Sequence, residues 1–584
     1  MDQIACLLEQ PGKWQTKQIA VILLGIFSTA VNTLAIAFIG FQPKFACTDG
    51  ENDYNYTGGR NATTEFNDHC TVLNATSNTS SACGGGFRYQ AYKLETIVAE
   101  WDLVCEKAYL SEVSQVLYTV GMAIGSLFVS PISDRLGRKK SYLGLRFLYV
   151  FCTVGLALSP NVYVFMALRF LTGAMGTCPL VRFVYLMELS PIHHRPFLTT
   201  MTGILWAVIL CLESGIAQLM RGMNWRYFQA VISITSLSVI LDVIFIKESL
   251  LWLYANDKLK EASKLLKKAM ATNGIMEQEM TATDDGRDSS ESTGDQARGY
   301  RMVPSADTPP AEAKDNQYVN INSPSESRGC DAGGNRMVPL ANNANSKDSP
   351  ALVAKTGTKR LSIIHLLKNR STRKIVFIIC FTWFVNSLVY YGIFLMSYAM
   401  AGDRILNFFL GSLVEIPSYL ALYVGLRWLD RKKLLVWLHG LCAVSLLLAG
   451  VFNFTLTGVT KVIVMQVVTF VGKFGISATF TLIYVYTTEV FPTNFRTSGL
   501  GIGSISARLG SFLSPFSSVL VRKLPWGPGI IFGGLCLVLT FILLFAPETR
   551  NRALPHFLED IEAWESDEKR ASSVREEGNA STTA

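Results

Sequence analysis

Twelve stretches of mostly apolar residues follow one another along the chain, and they decide what it can fold into. They are Ile19–Phe41, Tyr109–Ser130, Ser141–Leu158, Val162–Met187, Leu198–Leu219, Tyr227–Ile246, Lys374–Tyr398, Ile405–Gly425, Leu434–Asn453, Lys461–Thr487, Thr497–Val521 and Pro528–Ala546. About 20 such residues make a helix long enough to cross a bilayer's hydrocarbon core. There the helix satisfies its own backbone N–H and C=O groups, which no lipid can do. Of 584 residues, 49% are hydrophobic and only 17% charged, less charge than a soluble chain of this size carries. The first stretch is too long for a cleaved signal peptide, and no small-residue cleavage site follows it. The expectation is an all-α membrane protein with twelve transmembrane helices.

A net charge of +8 is explained by topology rather than by nucleic acid. One loop holds Arg135, Arg138, Lys139 and Lys140, and another holds Arg427, Arg431, Lys432 and Lys433. Both fall on the cytoplasmic side if the N-terminus is cytoplasmic, as the positive-inside rule requires. The opposite loops are poorer in Lys and Arg, with Arg221, Arg226, Arg522 and Lys523 as exceptions. Twelve spans then place both termini in the cytoplasm, and the plasma membrane is the expected location. The large outer loop, residues 42–107, carries sequons at Asn55, Asn61, Asn74 and Asn78 and the cysteines Cys47, Cys70, Cys83 and Cys105. An even number of cysteines in such a loop implies two disulfides, with three possible pairings. The sequons at Asn369 and Asn579 fall on the cytoplasmic side and should stay bare.

The chain divides into a cytoplasmic N-terminus (1–18), a first six-span half (19–252), a central cytoplasmic loop (253–372), a second six-span half (373–547) and a cytoplasmic tail (548–584). In the central loop, "KLKEASKLLKKAM" sets Leu259, Ala262, Leu265 and Leu266 on one helical face and lysines on the other, the pattern of a membrane-surface helix; "LSIIHLLKNR" reads likewise. Residues 275–355 are rich in Ser, Asp, Asn, Gly and Pro and read as disordered. Within them "SES" and "RMVP" recur at a shift of 35 residues, which reads as drift in a tolerant linker.

A larger repeat carries more meaning. "YLMELSPIHHR" and "YTTEVFPTNFR" share the pattern Y-x-x-E-x-x-P-x-x-x-R, so Tyr185, Glu188, Pro191 and Arg195 correspond to Tyr486, Glu489, Pro492 and Arg496 at an offset of 301. Asp134–Arg135 recurs as Asp430–Arg431 at an offset of 296, and Glu248–Ser249 as Glu548–Thr549 at 300. Parallel six-span repeats put a binding site near the bilayer midplane between the halves, opened to either side in turn by rocking. The charged residues Asp134, Arg135, Arg138, Glu188, Arg195, Asp430, Arg431, Glu489 and Arg496 are candidates for gating, pairing across the halves when the inner side closes. Gly137 permits a tight turn among them.

Ionisable residues inside spans are expensive and mark function. The second half has Glu415, Lys473 and Arg508 near span centres. Gly501, Ser504, Arg508 and Ser511 share one small, polar helix face. Glu415 and Lys473 can neutralise each other, which leaves Arg508 as a carboxylate receptor, since its planar fork binds carboxylates bidentately. Trp383, Phe384, Tyr390, Tyr391, Tyr484 and Tyr486 are candidates to face an organic substrate, and a quaternary ammonium suits such rings. In the first half stand Arg169, Arg182, Glu213 and Asp242; Arg182 is expected to pair with Glu213, and the pattern offers no partner for Asp242. No GxxxxGK[ST] phosphate loop occurs, so direct ATP drive is unsupported, and no metal or other cofactor is implied.

These residues resemble the major facilitator superfamily, and within it the solute carrier 22 family of organic cation, anion and zwitterion transporters. The resemblance covers nearly the whole chain. It rests on "EWDLVC" (100–105), "SDRLGRKK" (133–140), "NWRYFQ" (224–229), "TWFVNSLVYYG" (382–392), "VEIPSY" (414–419), "GKFGISATFTLIYVYTTEVFPTNFR" (472–496) and "PETRNRALPHFLEDIE" (547–562). Ser130 departs from the superfamily's usual glycine, the second loop motif lacks its glycine around Arg431, and Lys247 replaces a usual proline. Sugar transporters of the superfamily share some elements but lack the large cysteine-bearing loop. The resemblance implies alternating-access transport of small organic ions, with a co-transported ion open and no enzyme activity. In this family cation transporters tend to have an acid at the Arg508 position, and anion and zwitterion transporters an arginine. Anion transporters tend to have lysine at the Tyr419 position, and carnitine-type members tyrosine. The combination of Arg508 with Tyr419 resembles the carnitine or zwitterion branch, with Glu415 taking the cationic end; cations rank next, then anions. The alternative of another class is a receptor or scaffold that no longer transports.

Overall fold

The structure, a computed structural model, describes residue 7 and residues 12–47, 70–73, 80–83, 86–176, 178–191, 194–274, 370–396, 402–491 and 496–550. The four outer sequons, the duplicated central segment, "LSIIHLLKNR" up to its last residue, the tail beyond 550 and the side chains of Cys47, Arg195 and Arg496 lie outside the described residues.

Within the described residues the twelve predicted spans fall in helix, apart from short breaks. Among the described residues, eight helices are long and apolar enough to cross a membrane: Lys13–Ile39, Cys105–Leu136, Phe197–Leu219, Trp225–Phe245, Thr372–Met396, Arg404–Trp428, Arg431–Thr455 and Gly458–Val490. Val162–Met175 and Gly527–Leu543 are shorter apolar helices. The third and eleventh predicted spans lie in Arg138–Ala157 and in the pair Arg496–Leu513 and Phe516–Lys523. Numbered along the chain, these are spans 1 to 12, with span 4 continuing as Cys178–Glu188. Local chemistry sets their ends. Asn161, Asn224 and Asp403 each accept a hydrogen bond from a first-turn N–H at the start of spans 4, 6 and 8. Span 8 breaks at Val414, just ahead of Pro417, and span 11 breaks at Ser514 and Pro515; proline supplies no N–H to continue the ladder. Phe151, Leu158, Leu219, Trp428, Trp437 and Val459 stand exposed around the bundle, a lipid-facing belt rather than a water-facing one.

Each half packs on itself, span 2 on span 4 in the first, and span 9 on spans 10 and 12 in the second. Gly121 and Gly173 allow the backbones of spans 2 and 4 to touch, since a Cβ on either would fall 2.1 or 2.0 Å from a carbonyl oxygen of the other. The halves meet through span 5 against span 8 and span 2 against span 11.

At the end of the bundle away from the 42–107 loop, called the inner end here and the loop-bearing end the outer, both halves build the same device, which explains the sequence repeat. Glu188 pairs with Arg138 at 3.2 Å, and Glu489 with Arg431 at 3.5 Å. The Glu248 carboxylate accepts the Lys139 N–H at 3.0 Å, and the Glu548 carboxylate accepts the Arg431 and Lys432 N–H groups at 3.0 and 3.1 Å. The Tyr185 hydroxyl donates to the Lys247 carbonyl, and the Tyr486 hydroxyl to the Pro547 carbonyl at 2.6 Å. This corrects one expected equivalence. The counterpart of Arg431 is Arg138, the first residue of span 3, and not Arg135. Asp430 therefore stands where Gly137 stands, directly before a helix, while Asp134 lies in the last turn of span 2 and pairs with Arg138 at 2.5 Å. Arg135 is exposed and makes no ion pair among the described residues. Gly137 has φ +106°, and a Cβ there would meet the Glu248 carboxylate at 2.5 Å, so the turn requires glycine.

In the outer loop, β1 (Phe45–Cys47) pairs with β4 (Phe87–Tyr89), and β2 (Thr71–Leu73) with β3 (Ser80–Ala82), both antiparallel. Cys70 is bonded to Cys105, and Cys83 is also in a disulfide. The lysine-rich helix Leu259–Asn273 spends its apolar face on protein: Ala262, Leu266 and Ala269 are buried, and Asn273 bonds the start of span 1 through the Trp14 N–H and the Gln15 side chain. The expected membrane-surface face is therefore largely covered, with Leu259 left exposed.

Candidate functional site

The intramembrane charges sort by burial and partner. Lys473 and Glu415 form an ion pair at 3.0 Å, fully buried. The other Glu415 oxygen accepts from the Tyr390 and Tyr419 hydroxyls at 3.1 and 3.2 Å. Lys473 lies over the Tyr390 and Phe394 rings at 3.6 and 3.3 Å, a desolvated cation held by two π faces. The Tyr390 hydroxyl accepts the Trp206 indole N–H at 2.9 Å, which links the cluster to span 5 of the other half. Glu415, Lys473, Tyr390 and Tyr419 are thus one closed polar knot, with the Glu415 carboxylate occupied on both oxygens.

Arg508 differs. It is half-buried, makes no ion pair among the described residues, leaves Nε without a hydrogen bond there, and reaches the Met122 sulfur across the halves, at 3.6 Å. The Tyr391 and Tyr484 side chains lie within electrostatic range of its guanidinium. Tyr484 packs against Phe183 of span 4 at 5.8 Å between ring centroids, so rings of both halves border this region. Phe384 and Tyr391 are half-buried. Two expected cavity rings lie elsewhere. Tyr486, 1% exposed, spends its hydroxyl on the Pro547 carbonyl at the inner end. Trp383, 2% exposed, is packed by Tyr484 at 4.5 Å with its N–H on the Thr487 hydroxyl, a helix-packing role.

In the first half the expected Arg182–Glu213 pair does not form. Arg182 lies in the inner part of span 4 and acts electrostatically on Asp242, whereas Glu213 sits in the outer part of span 5 with no hydrogen bond to either oxygen. Asp242 pairs instead with Arg146, at 3.1 Å and buried on both sides. Arg169 donates to the Asn32 carbonyl at 2.9 Å and to Gln115, and covers the Tyr118 ring. Sequence reasoning missed Arg146 although it is an arginine inside span 3.

It also missed the outer seal. Glu112 of span 2 accepts from Arg522 at 2.6 Å and from Ser518 at 3.2 Å. Arg221 pairs with Asp403 at 2.7 Å, and Arg404 with Glu95 at 2.9 Å. All three pairs join one half to the other at the end that bears the 42–107 loop, where Phe38 and Phe408 also meet across the halves, tilted, with ring centroids 4.6 Å apart. At the inner end no ion pair joins the halves among the described residues; the charged pairs there lie within a half, and ring contacts such as Phe197–Tyr423 cross instead. Among the described residues, then, ion pairs latch the halves together at the outer side and not at the inner side.

Two halves of six spans, repeated in parallel and meeting over a central charge, define a membrane transporter of the rocking type. The chain belongs to the major facilitator superfamily, whose family model matches residues 111–515, and within it is a solute carrier 22 transporter. Its relatives include the beta-alanine transporter of Drosophila melanogaster, 27% identical over 82% of this chain and 69% of that protein. The organic cation transporter protein of the same organism is 25% identical over 96% of this chain and 94% of that protein. Organic anion transporter 3 of Homo sapiens is 26% identical over 95% and 92%. Among solved structures, the inward-open xylose transporter XylE from E. coli aligns with TM-score 0.54 over 94% of this chain and 99% of that chain, at 16% identity, a likeness of fold.

Proposed function

We propose that this transporter carries small organic ions that bear a carboxylate, zwitterions of the carnitine kind foremost, across the plasma membrane with the 42–107 loop outside. The observation that carries the reading is Arg508: a guanidinium near the centre of span 11, half-buried, without a carboxylate partner among the described residues, and bordered by tyrosines. A substrate carboxylate supplies the missing partner. The Tyr391 and Tyr484 rings suit the cationic end. The relatives named for beta-alanine, itself a small zwitterion, and for organic cations and anions span the same chemistry. A second reading, plain organic anions, gains from the knot around Glu415, because a carboxylate already held by Lys473 and two tyrosines leaves the cavity positive.

The test is uptake of labelled carnitine, beta-alanine, ergothioneine and tetraethylammonium into cells expressing the chain, repeated in Arg508→Ala with and without sodium. Carboxylate-bearing substrates should enter and lose at least tenfold in kcat/KM in the variant, the loss of about 1.4 kcal/mol or more that a charge-assisted pair implies. Tetraethylammonium uptake that survives Arg508→Ala undiminished, with no carboxylate uptake in either protein, would overturn the reading. No uptake of any substrate would favour the receptor alternative.

A further inference from the structure

Glu213 is a buried carboxylate that the reading above leaves unused. It is 0% exposed, and neither oxygen has a hydrogen-bond partner among the described residues. Its place on span 5 is informative. Gly203 faces the Tyr419 ring of span 8, Trp206 bonds Tyr390 of span 7, and Ala217 lines an outer cleft with Phe38, Arg404 and Ile405. Residues 203, 206, 210, 213 and 217 fall on one helical stripe at spacings of three and four. Glu213 therefore lies on the face that meets the second half, seven residues outward of Trp206 and one turn below the outer cleft.

The helices packed against span 5 offer it no countercharge. Span 1 between Ile26 and Leu34 carries no titratable group. Span 8 carries Arg404, held by Glu95; Glu415 and Tyr419, in the central knot; and Tyr423 with Arg427, bonded to each other. Span 10 carries Lys461, bonded to Asn453; Lys473, on Glu415; Tyr484 and Tyr486, packed as described; and Glu489, on Arg431. Arg221, one turn outward of Ala217 in the cleft and paired with Asp403, Cys211 and Tyr390 are the remaining titratable neighbours near the stripe among the described residues, and Tyr390 is bonded to Glu415. An ionised carboxylate sealed between the halves without a donor or a cation loses several kcal/mol of hydration that nothing returns. The same carboxylate, once the halves part on the outer side, faces the water of the cleft above it.

We propose that Glu213 is a proton-binding site of the outer gate: it takes a proton from the outer solution when the outer side closes and gives it back when that side opens. The proton is bound and released on the same side, so the cycle needs no other co-reactant, and outer acidity favours the closed form shown by the structure. Between the two pKa values of such a site, the ratio of open to closed changes up to tenfold per pH unit.

The experiment reads conformation and not uptake, so its failure is separable from a failure of the substrate reading. Ala217→Cys puts a thiol in the outer cleft, and its labelling by a membrane-impermeant maleimide is followed on intact cells between pH 5.5 and 8.5. Tyr92→Cys, exposed in the outer loop, is the reference that cancels the intrinsic pH dependence of thiol reactivity, and the protein without either cysteine gives the background. The Ala217→Cys to Tyr92→Cys ratio should rise at least threefold from pH 5.5 to 8.5. It should be flat in Glu213→Gln, fixed near its acid value, and should titrate again in Glu213→Asp. A flat ratio with Glu213 present, or a rise that Glu213→Gln leaves intact, overturns the proposal. If Glu213→Gln does not reach the cell surface, the wild-type ratio and its shift in Glu213→Asp decide it.

Discussion

Removing the charge of Glu112 should open the outer side. Its side chain is 5% exposed, and its Oε1 accepts from both Arg522 at 2.6 Å and Ser518 at 3.2 Å of the far half. When the outer side opens, span 2 and the short helix Phe516–Lys523 separate and all three groups regain water, so Glu112→Gln costs the closed form and spares the open one. A charge-assisted hydrogen bond of this kind contributes about 2 kcal/mol. That shifts the open-to-closed ratio by roughly 30-fold. Thiol labelling of Ala217→Cys on intact cells measures the shift directly, because its rate follows the open fraction while that fraction is small. Arg522→Gln should act alike, and the double variant should add little to either single one, since both break the same bond. Unchanged labelling in Glu112→Gln, or full additivity in the double variant, would refute the view that this pair holds the halves together.

Other expectations follow from the same geometry. Asp242→Asn strands the buried Arg146 and should cost about 3–5 kcal/mol, whereas replacing both by leucine should restore much of it; the melting temperature of the purified protein in detergent distinguishes the two. Partial burial pushes the Asp403 carboxyl up, but the Leu406 amide, the Arg221 guanidinium and the Ile405 amide together hold it below its ordinary value. A lowered pKa in the closed form stabilises that form above the ordinary aspartate pKa and is lost only as pH falls through the depressed one. Arg221→Gln should therefore change cleft labelling by the same factor at pH 6 and pH 8.

The spans and the two-fold repeat were legible because both are written in local patterns: apolar runs of fixed length, and a motif that returns at about 300 residues. Pairings between spans were not. Arg146 and Asp242 are 96 positions apart on different helices, and nothing near either names the other. Glu213 and Arg182 looked matched because their spans are neighbours and their charges opposite, yet they sit at different depths. Tyr486 belonged to a string of aromatics, and sequence does not say which ring ends on a carbonyl. The Asp–Arg match between the two loops failed for a related reason. It aligned letters at an offset of 296, while the structure aligns helix starts, and Arg138 rather than Arg135 opens span 3.

The placement of the ion pairs explains how such a molecule can move at all. The fully buried pairs, Lys473–Glu415 and Arg146–Asp242, lie inside a half, where rocking never separates them. So do the inner pairs of Arg138 and Arg431. Among the described residues only the outer pairs join the halves, and in each of them at least one partner keeps contact with solvent. Pairs of that kind contribute up to about 1 kcal/mol when exposed and somewhat more when partly buried. Three of them bias the equilibrium by a few kcal/mol, a range that substrate binding can reverse. A fully buried pair across the same seam would instead make both ions shed their hydration each time the outer side closed, several kcal/mol per ion that their mutual attraction need not return. Rigid halves and a weakly latched seam are thus two consequences of one rule: charges are buried deeply only where the protein never has to part them.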